Sequence, residues 1–239
     1  MNRIARMVLM NIFRVPGLYG KLCRYAKHTD RYPEQEKWDH IHKTLTYAVE
    51  GGNIDLQVTG LEHIPETPGF LLYGNHQGLF DVLAIASSCT KPLAIVYKKE
   101  LANVPFLKEI LTCTNSFAMD RDDVRQSLTV IQNVTEEVKN GRNYIIFPEG
   151  TRSKNGNTMG EFHGGSFRCA IKAKCPIIPV VLIDSFKVFD QKGSAPLSVQ
   201  LHYLKPIPYE EFAGLKATEV AAMVKMRIEE TIRTHTAKP

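Results

Sequence analysis

Apolar and polar residues alternate along this chain with two different periods. Near the N-terminus the period is helical: at 100° per residue Ile4, Val8, Leu9, Ile12 and Val15 fall on one side, and Arg3, Arg6 and Arg14 on the other. Pro16 and Gly17 are expected to break this pattern. Pro33 opens a second helical stretch, in which Trp38, Ile41, Leu45 and Val49 recur before Gly51 and Gly52 end it. Two helices are therefore predicted ahead of everything else. From residue 55 onward, short apolar runs predict strands over 55–58, 70–73, 93–97, 116–119, 144–147, 177–183 and 199–203. Helical patterns over 81–88, 100–111, 124–140 and 166–174 lie between several of them, and a last helix covers 217–234. Strands separated by single helices read as crossovers, so the predicted fold class is α/β, a mostly parallel sheet flanked by helices. The expected organisation is an amphipathic helical segment over 1–52 and a main domain over 53–239.

Charge changes this picture more than composition does. With 239 residues, 44% of them hydrophobic and 23% charged, the chain falls among ordinary globular proteins, which excludes disordered and collagenous classes. Its five cysteines show no CxxC pair and no Cys/His cluster, so neither a zinc site nor a disulfide framework is expected, and reduced cytoplasmic thiols are. No run reaches the roughly 20 apolar residues that span a bilayer, so any membrane association is expected to be peripheral. The net charge of +5 is unevenly placed: residues 1–31 carry seven Lys/Arg against the single acid Asp30. A nucleic-acid binder spreads cations through its main domain, and here they are confined to an arm. A basic amphipathic helix can lie in a membrane interface, its cations drawn to anionic lipid. Two other readings stay open: a helix docked on the core with its charged face in water, and a secretory signal. Against the signal, the apolar run 7–13 is interrupted by Asn11, closed by Arg14 and followed by no small-residue cleavage site.

Ligands in open α/β sheets sit at the C-terminal ends of the strands, and polar clusters occur there. NHQGLFD, residues 75–81, follows the strand 70–73. Asp81 at a helix start can fold back onto one imidazole nitrogen of His76, freeing the other to take a proton from a substrate hydroxyl. The alternative is a purely structural pair at a helix start. At the end of the fourth strand Arg121 can clamp a phosphate with its planar guanidinium, or pair with Asp120 or Asp122 on the surface. FPEGTRS, residues 147–153, offers a tight turn at Gly150, a hydroxyl at Thr151, a cation at Arg152, and in Glu149 a carboxylate to fix the arginine or accept from a hydroxyl. CPIIPV, residues 175–180, reads by itself as a rigid edge or a bulge.

In order and spacing these four segments resemble the motifs of the glycerolipid acyltransferase family, in particular its bacterial 1-acyl-sn-glycerol-3-phosphate acyltransferases. The likeness covers about residues 55–205. It implies transfer of a fatty acyl group from an acyl thioester, acyl-CoA or acyl carrier protein, to the free 2-hydroxyl of lysophosphatidic acid, with no cofactor beyond that cosubstrate. His76 would be the general base and Asp81 its orienter. Arg121, Glu149, Gly150, Thr151 and Arg152 would bind the glycerol phosphate, although Phe117, Ala118 and Met119 ahead of Arg121 depart from the family's usual pattern. Lys98 holds a place where the family often has a phosphate-facing lysine, with Lys99 as the competing assignment. Pro176 and Pro179 would shape the fourth motif near the acyl donor. The partners implied are the two substrates and an anionic membrane surface, on the cytoplasmic face. Rival readings are the same chemistry on another lysophospholipid or on glycerol 3-phosphate, a thioesterase, and a noncatalytic membrane-binding module of the same fold. No GxSxG elbow is present, which disfavours a covalent acyl-enzyme route.

Overall fold

The stretch Ile177 to Ile183 contains no polar side chain, and a strand of that composition must be covered on both faces. The computed structural model, which describes residues 1–120 and 123–237, shows how. Helices α1 (Arg3–Met10), α2 (Val15–Lys27) and α3 (Glu34–Gly51) come first. They are followed by β1 (Ile54–Thr59), β2 (Leu71–Gly74), α4 (Phe80–Ser88), β3 (Ala94–Lys98), α5 (Leu107–Cys113), β4 (Phe117–Met119) and α6 (Val124–Lys139). The chain closes with β5 (Tyr144–Ile146), α7 (Arg168–Ala173), β6 (Ile177–Ile183), α8 (Lys187–Asp190), β7 (Leu197–Tyr203) and α9 (Ala217–Thr236). Each predicted strand is present to within two residues at either end. Among the described residues they form one seven-stranded sheet in the order β1-β7-β6-β2-β5-β3-β4, parallel throughout except for β6 against β7.

Alternation along the strands divides the core in two. Phe70, Leu72, Ile178, Val180 and Leu182 point to one face, where they meet Trp38, Ile41 and Leu45 of α3 and Ala84 and Ile85 of α4. Leu71, Tyr73, Ile177, Val181 and Ile183 point to the other, against Val130 and Val134 of α6, Cys169 and Ala170 of α7, and Val220, Val224 and Ile228 of α9. Helices α2 and α3 thus supply part of the first core layer. Strand β2 lies between β6 and β5, and the C-terminal ends of these three parallel neighbours form one edge.

Three expectations are corrected. The N-terminal segment holds three helices, not two. Asn11 ends α1 by donating its side-chain amide to the carbonyls of Met7 and Tyr47, and Pro16, in the first turn of α2, starts a helix there because no N–H is needed at that place. The helix predicted over 100–111 is split into a 3-10 turn, Lys99–Asn103, and α5. Pro105 carries no N–H and Phe106 has a positive φ of 73°, its amide donating instead to Glu109 at 2.7 Å. The segment 175–180 is not at an edge: β6 is interior, paired with both β2 and β7. Pro179 faces Tyr73 in the register, and its carbonyl accepts from Leu204 just where the β7 ladder starts.

Candidate active site

Where β2 ends, Asn75 extends its pairing with β6 by side chain, donating to the Leu182 carbonyl at 2.9 Å and accepting from the Leu182 amide at 2.8 Å. The next residue, His76, leaves the sheet and is held on both sides of its backbone. Its amide donates to Glu149 Oε1 at 2.7 Å, and its carbonyl accepts from the Ser153 amide at 2.7 Å. Two motifs about 70 residues apart in sequence therefore meet at one peptide unit. The imidazole stacks on Phe147, ring centroids 4.5 Å apart, and its Nδ1 lies 2.7 Å from Asp81 Oδ2.

Asp81 sits in the first turn of α4 and is fully buried. Its Oδ2 also accepts the amides of Gln77 at 2.6 Å and Gly78 at 2.9 Å, while Oδ1 accepts the Ser185 hydroxyl. A buried carboxylate is tolerable only when so provided with donors. The same contacts orient the ring: with Nδ1–H donating to Asp81, Nε2 is the nitrogen left able to accept a proton.

Glu149 belongs to the positioning of this pair. Its second oxygen accepts the Gly160 amide at 2.8 Å, and a Cβ on Gly160 would come within 3.0 Å of that oxygen. Burial pushes the Glu149 carboxyl above its ordinary range, against the two backbone donors that lower it. Both of its oxygens are thus engaged by backbone amides, one of them that of His76. Gly150, at φ 68°, makes the left-handed turn that carries the chain outward. Thr151 and Arg152 are exposed beyond it, the guanidinium 3.4 Å from Asp190. Lys98 ends β3, half exposed and 3.1 Å from Glu100, and Lys99 pairs with Asp120. Arg121 lies outside the described residues. Sequence reasoning did not single out Ser153, Gly160 or Ser185; their contacts run through backbone groups or across more than 100 residues, and no local spacing signals them.

Beside this edge, Leu79, Val82 and Leu83 at the start of α4 face Ile95 and Tyr97 of β3 and Leu101, Leu107 and Ile110 around α5. Together they line a pocket that is almost wholly apolar. Burial pushes the thiols of Cys89, Cys113 and Cys169 up to about 11 and that of Cys175 up to about 12, so all four stay protonated and unreactive near neutrality. Among the described residues no group of three His, Cys, Asp or Glu side chains is placed to hold a metal ion.

The chain is similar to several known proteins. The chain is 30% identical over 169 residues to a 1-acyl-sn-glycerol-3-phosphate acyltransferase of Salmonella typhimurium, covering 70% of this chain and 69% of that protein. It is 34% identical over 127 residues to one of Helicobacter pylori, covering 53% of this chain and 54% of that one. It is 29% identical over 229 residues to one of Saccharomyces cerevisiae, covering 91% and 73%. The crystal structure of a 1-acyl-sn-glycerophosphate acyltransferase from Thermotoga maritima superimposes with a TM-score of 0.73 at 22% identity, over 99% of this chain and 100% of that one, which establishes the shared fold. The acyltransferase family profile matches residues 55–183, a span of more than half of the chain that includes His76, Asp81 and the Glu149–Arg152 turn, and the chain belongs to the acyltransferase family.

Proposed function

We propose that this protein transfers a fatty acyl group from an acyl thioester to the free 2-hydroxyl of lysophosphatidic acid, giving phosphatidic acid. The observation that carries the reading is the 2.7 Å contact of His76 Nδ1 with a buried, fully provided Asp81, set at the sheet edge beside exposed Thr151 and Arg152 and an apolar pocket. Nε2 of His76 takes the proton of the acceptor hydroxyl as its oxygen attacks the thioester carbonyl. The tetrahedral adduct collapses by breaking the C–S bond, and the thiolate leaves with the proton from His76. The imidazolium formed in between is balanced by Asp81. Arg152 suits the phosphate monoester, which two guanidinium N–H groups meet in one plane. The apolar pocket suits an acyl chain. Either acyl-CoA or acyl carrier protein fits as donor.

The acceptor and product reside in a bilayer, and α1 suits a surface there. Ile4, Val8, Leu9 and Ile12 are each about half exposed and Phe13 is 98% exposed, while Arg14, Lys21 and Arg24 follow within the next turns. No helix among the described residues is long and apolar enough to cross a membrane. Peripheral docking on anionic lipid at the cytoplasmic face is the pose proposed.

The test is acyl transfer by wild type and His76→Ala, with lysophosphatidic acid in anionic vesicles and palmitoyl thioesters of coenzyme A and of acyl carrier protein. Phosphatidic acid from wild type and a loss of about 10²-fold or more in the variant are expected. Thioester loss without lipid product would replace the reading with hydrolysis.

A further inference from the structure

The two oxygens of Asp81 are served unequally. Oδ2 receives three N–H groups, from His76 Nδ1, Gln77 and Gly78. Among the described residues Oδ1 has one partner, the hydroxyl of Ser185, which arrives from beyond the C-terminal end of β6. Ser185 is buried, and its own place is fixed from two sides. Its amide donates to Gln77 Oε1 at 2.9 Å. The residue before it, Asp184, turns the chain at φ 65° and is tied by its amide and carboxylate to Asn157, which also accepts from Gln77. The hydroxyl has a single proton and two acceptors in reach, Asp81 Oδ1 and Gln77 Oε1, the latter at 3.0 Å. Gln77 Oε1 already holds the Ser185 amide, whereas Oδ1 has no other donor among the described residues, so the proton belongs to Asp81.

We propose that Ser185 is a positioning residue for the His76–Asp81 pair: its hydroxyl occupies the carboxylate oxygen that the loop amides leave open and keeps the other directed at Nδ1. Without it Oδ1 loses that donor, and the charge of the carboxylate, shared among fewer donors, binds the imidazole proton more tightly. The assignment rests on His76 serving as the base. It extends the active edge to three adjacent strands, β5 clamping the His76 backbone, β2 carrying the ring and β6 holding the orienting acid.

The experiment compares full-length wild type, Ser185→Ala and His76→Ala by NMR titration of labelled histidine rings, the His76 signal identified by its loss in the third protein, alongside the kinetics of acyl transfer. The carboxylates facing His76, Asp81 and Glu149, are unchanged in Ser185→Ala. Its His76 midpoint is expected to rise by about half a unit or more, and the acid limb of kcat/KM to move upward with it. The turnover number is expected to fall about 10-fold while KM for lysophosphatidic acid stays within about 2-fold, the scale of one hydrogen bond to a charged group. A His76 midpoint in Ser185→Ala that superimposes on wild type overturns the assignment. Ser185→Thr against Ser185→Val gives the same comparison, hydroxyl against methyl in one shape, if the alanine variant folds poorly. A shifted midpoint in a protein that makes no phosphatidic acid would sink the proposed reaction and leave Ser185 in place. An unmoved midpoint in an active enzyme would do the reverse.

Discussion

The sheet edge at His76 and the N-terminal arm both bury ionisable groups, and they do so with opposite halves of the peptide group. At the edge, Asp81 and Glu149 are enclosed by N–H donors, five of them from the backbone or the His76 ring. In the arm, Arg3 is buried and enclosed by carbonyls, donating to Gly52 at 2.8 Å, Ala195 at 3.0 Å, Val188 at 3.2 Å and Asn53 at 3.3 Å. What each leaves outside differs in kind. The edge exposes Thr151, Arg152 and Lys98, whereas the arm exposes Val8, Leu9, Ile12 and Phe13. The first surface is complementary to an ion and the second to hydrocarbon, so the two together suit a molecule that has both, provided the arm stays rigidly fastened while its apolar side faces out.

The sharpest way to break this comparison is at the edge. Asp81→Asn keeps the shape but removes the charge and puts an NH₂ group where an acceptor is needed, against either the amides of Gln77 and Gly78 or the Ser185 hydroxyl. The turnover number is expected to fall by about 10² to 10⁴ with little change in KM, because the loss concerns a proton transfer in the transition state and not binding. A KM effect alone would reassign Asp81 to substrate binding.

That pair was legible in sequence for a physical reason. His76 and Asp81 are five residues apart across one strand-to-helix turn, so local spacing reports their contact. Glu149 was legible as a polar residue at a strand end but not in its contacts, since only the fold shows that its oxygens meet the amides of His76 and Gly160. Ser185 had no signal at all, being brought to Asp81 by the β2–β6 pairing. The strands were readable because a short apolar run bounded by polar turn residues is too brief for a helix and too apolar for a loop. The arm was readable only in part. A 100° period reports that a helix has two faces and not which of them turns inward, and here Arg3, Met7 and Asn11 turn inward while Ile4 and Val8 do not.

The arm can be probed from both of its faces. Arg3→Met leaves buried carbonyls without a donor and is expected to lower stability by about 2 to 3 kcal/mol in urea unfolding. Leu9→Ser with Phe13→Ser removes only exposed apolar surface, so stability should change by less than about 0.5 kcal/mol. Sedimentation with anionic vesicles is the readout for that double variant, and it should weaken by about 10-fold or more, since each such side chain contributes about 1.5 to 3 kcal/mol when transferred to an apolar phase. Equal vesicle binding by the double variant would make the exposed face an accident of the arm and not its purpose.

The smallest effect distinguishes the two regions by pH. His40, on α3, lies under the arm with Nε2 2.9 Å from the Leu18 carbonyl of α2, so the neutral ring donates there and fastens the helix. Burial holds its pKa below the ordinary 6.5, with Lys21 and Lys43 adding to the depression and the Leu18 carbonyl opposing it. His42, further along α3, is lowered too, chiefly by burial. A histidine depressed in the folded state binds its proton more readily when unfolded, so its contribution to stability is complete above the ordinary value and is lost as pH falls through 6.5 toward the lower folded value. Unfolding midpoints should therefore decline between about pH 7 and 5. His40→Gln, whose side-chain amide can still donate to Leu18 without titrating, should make that decline shallower. His202, buried on β7 and lowered by burial and by His235, would continue to contribute a slope of the same sign, so the decline should not vanish. Parallel curves for wild type and His40→Gln would show that the arm is fastened independently of pH, leaving Arg3 as its principal tie to the domain.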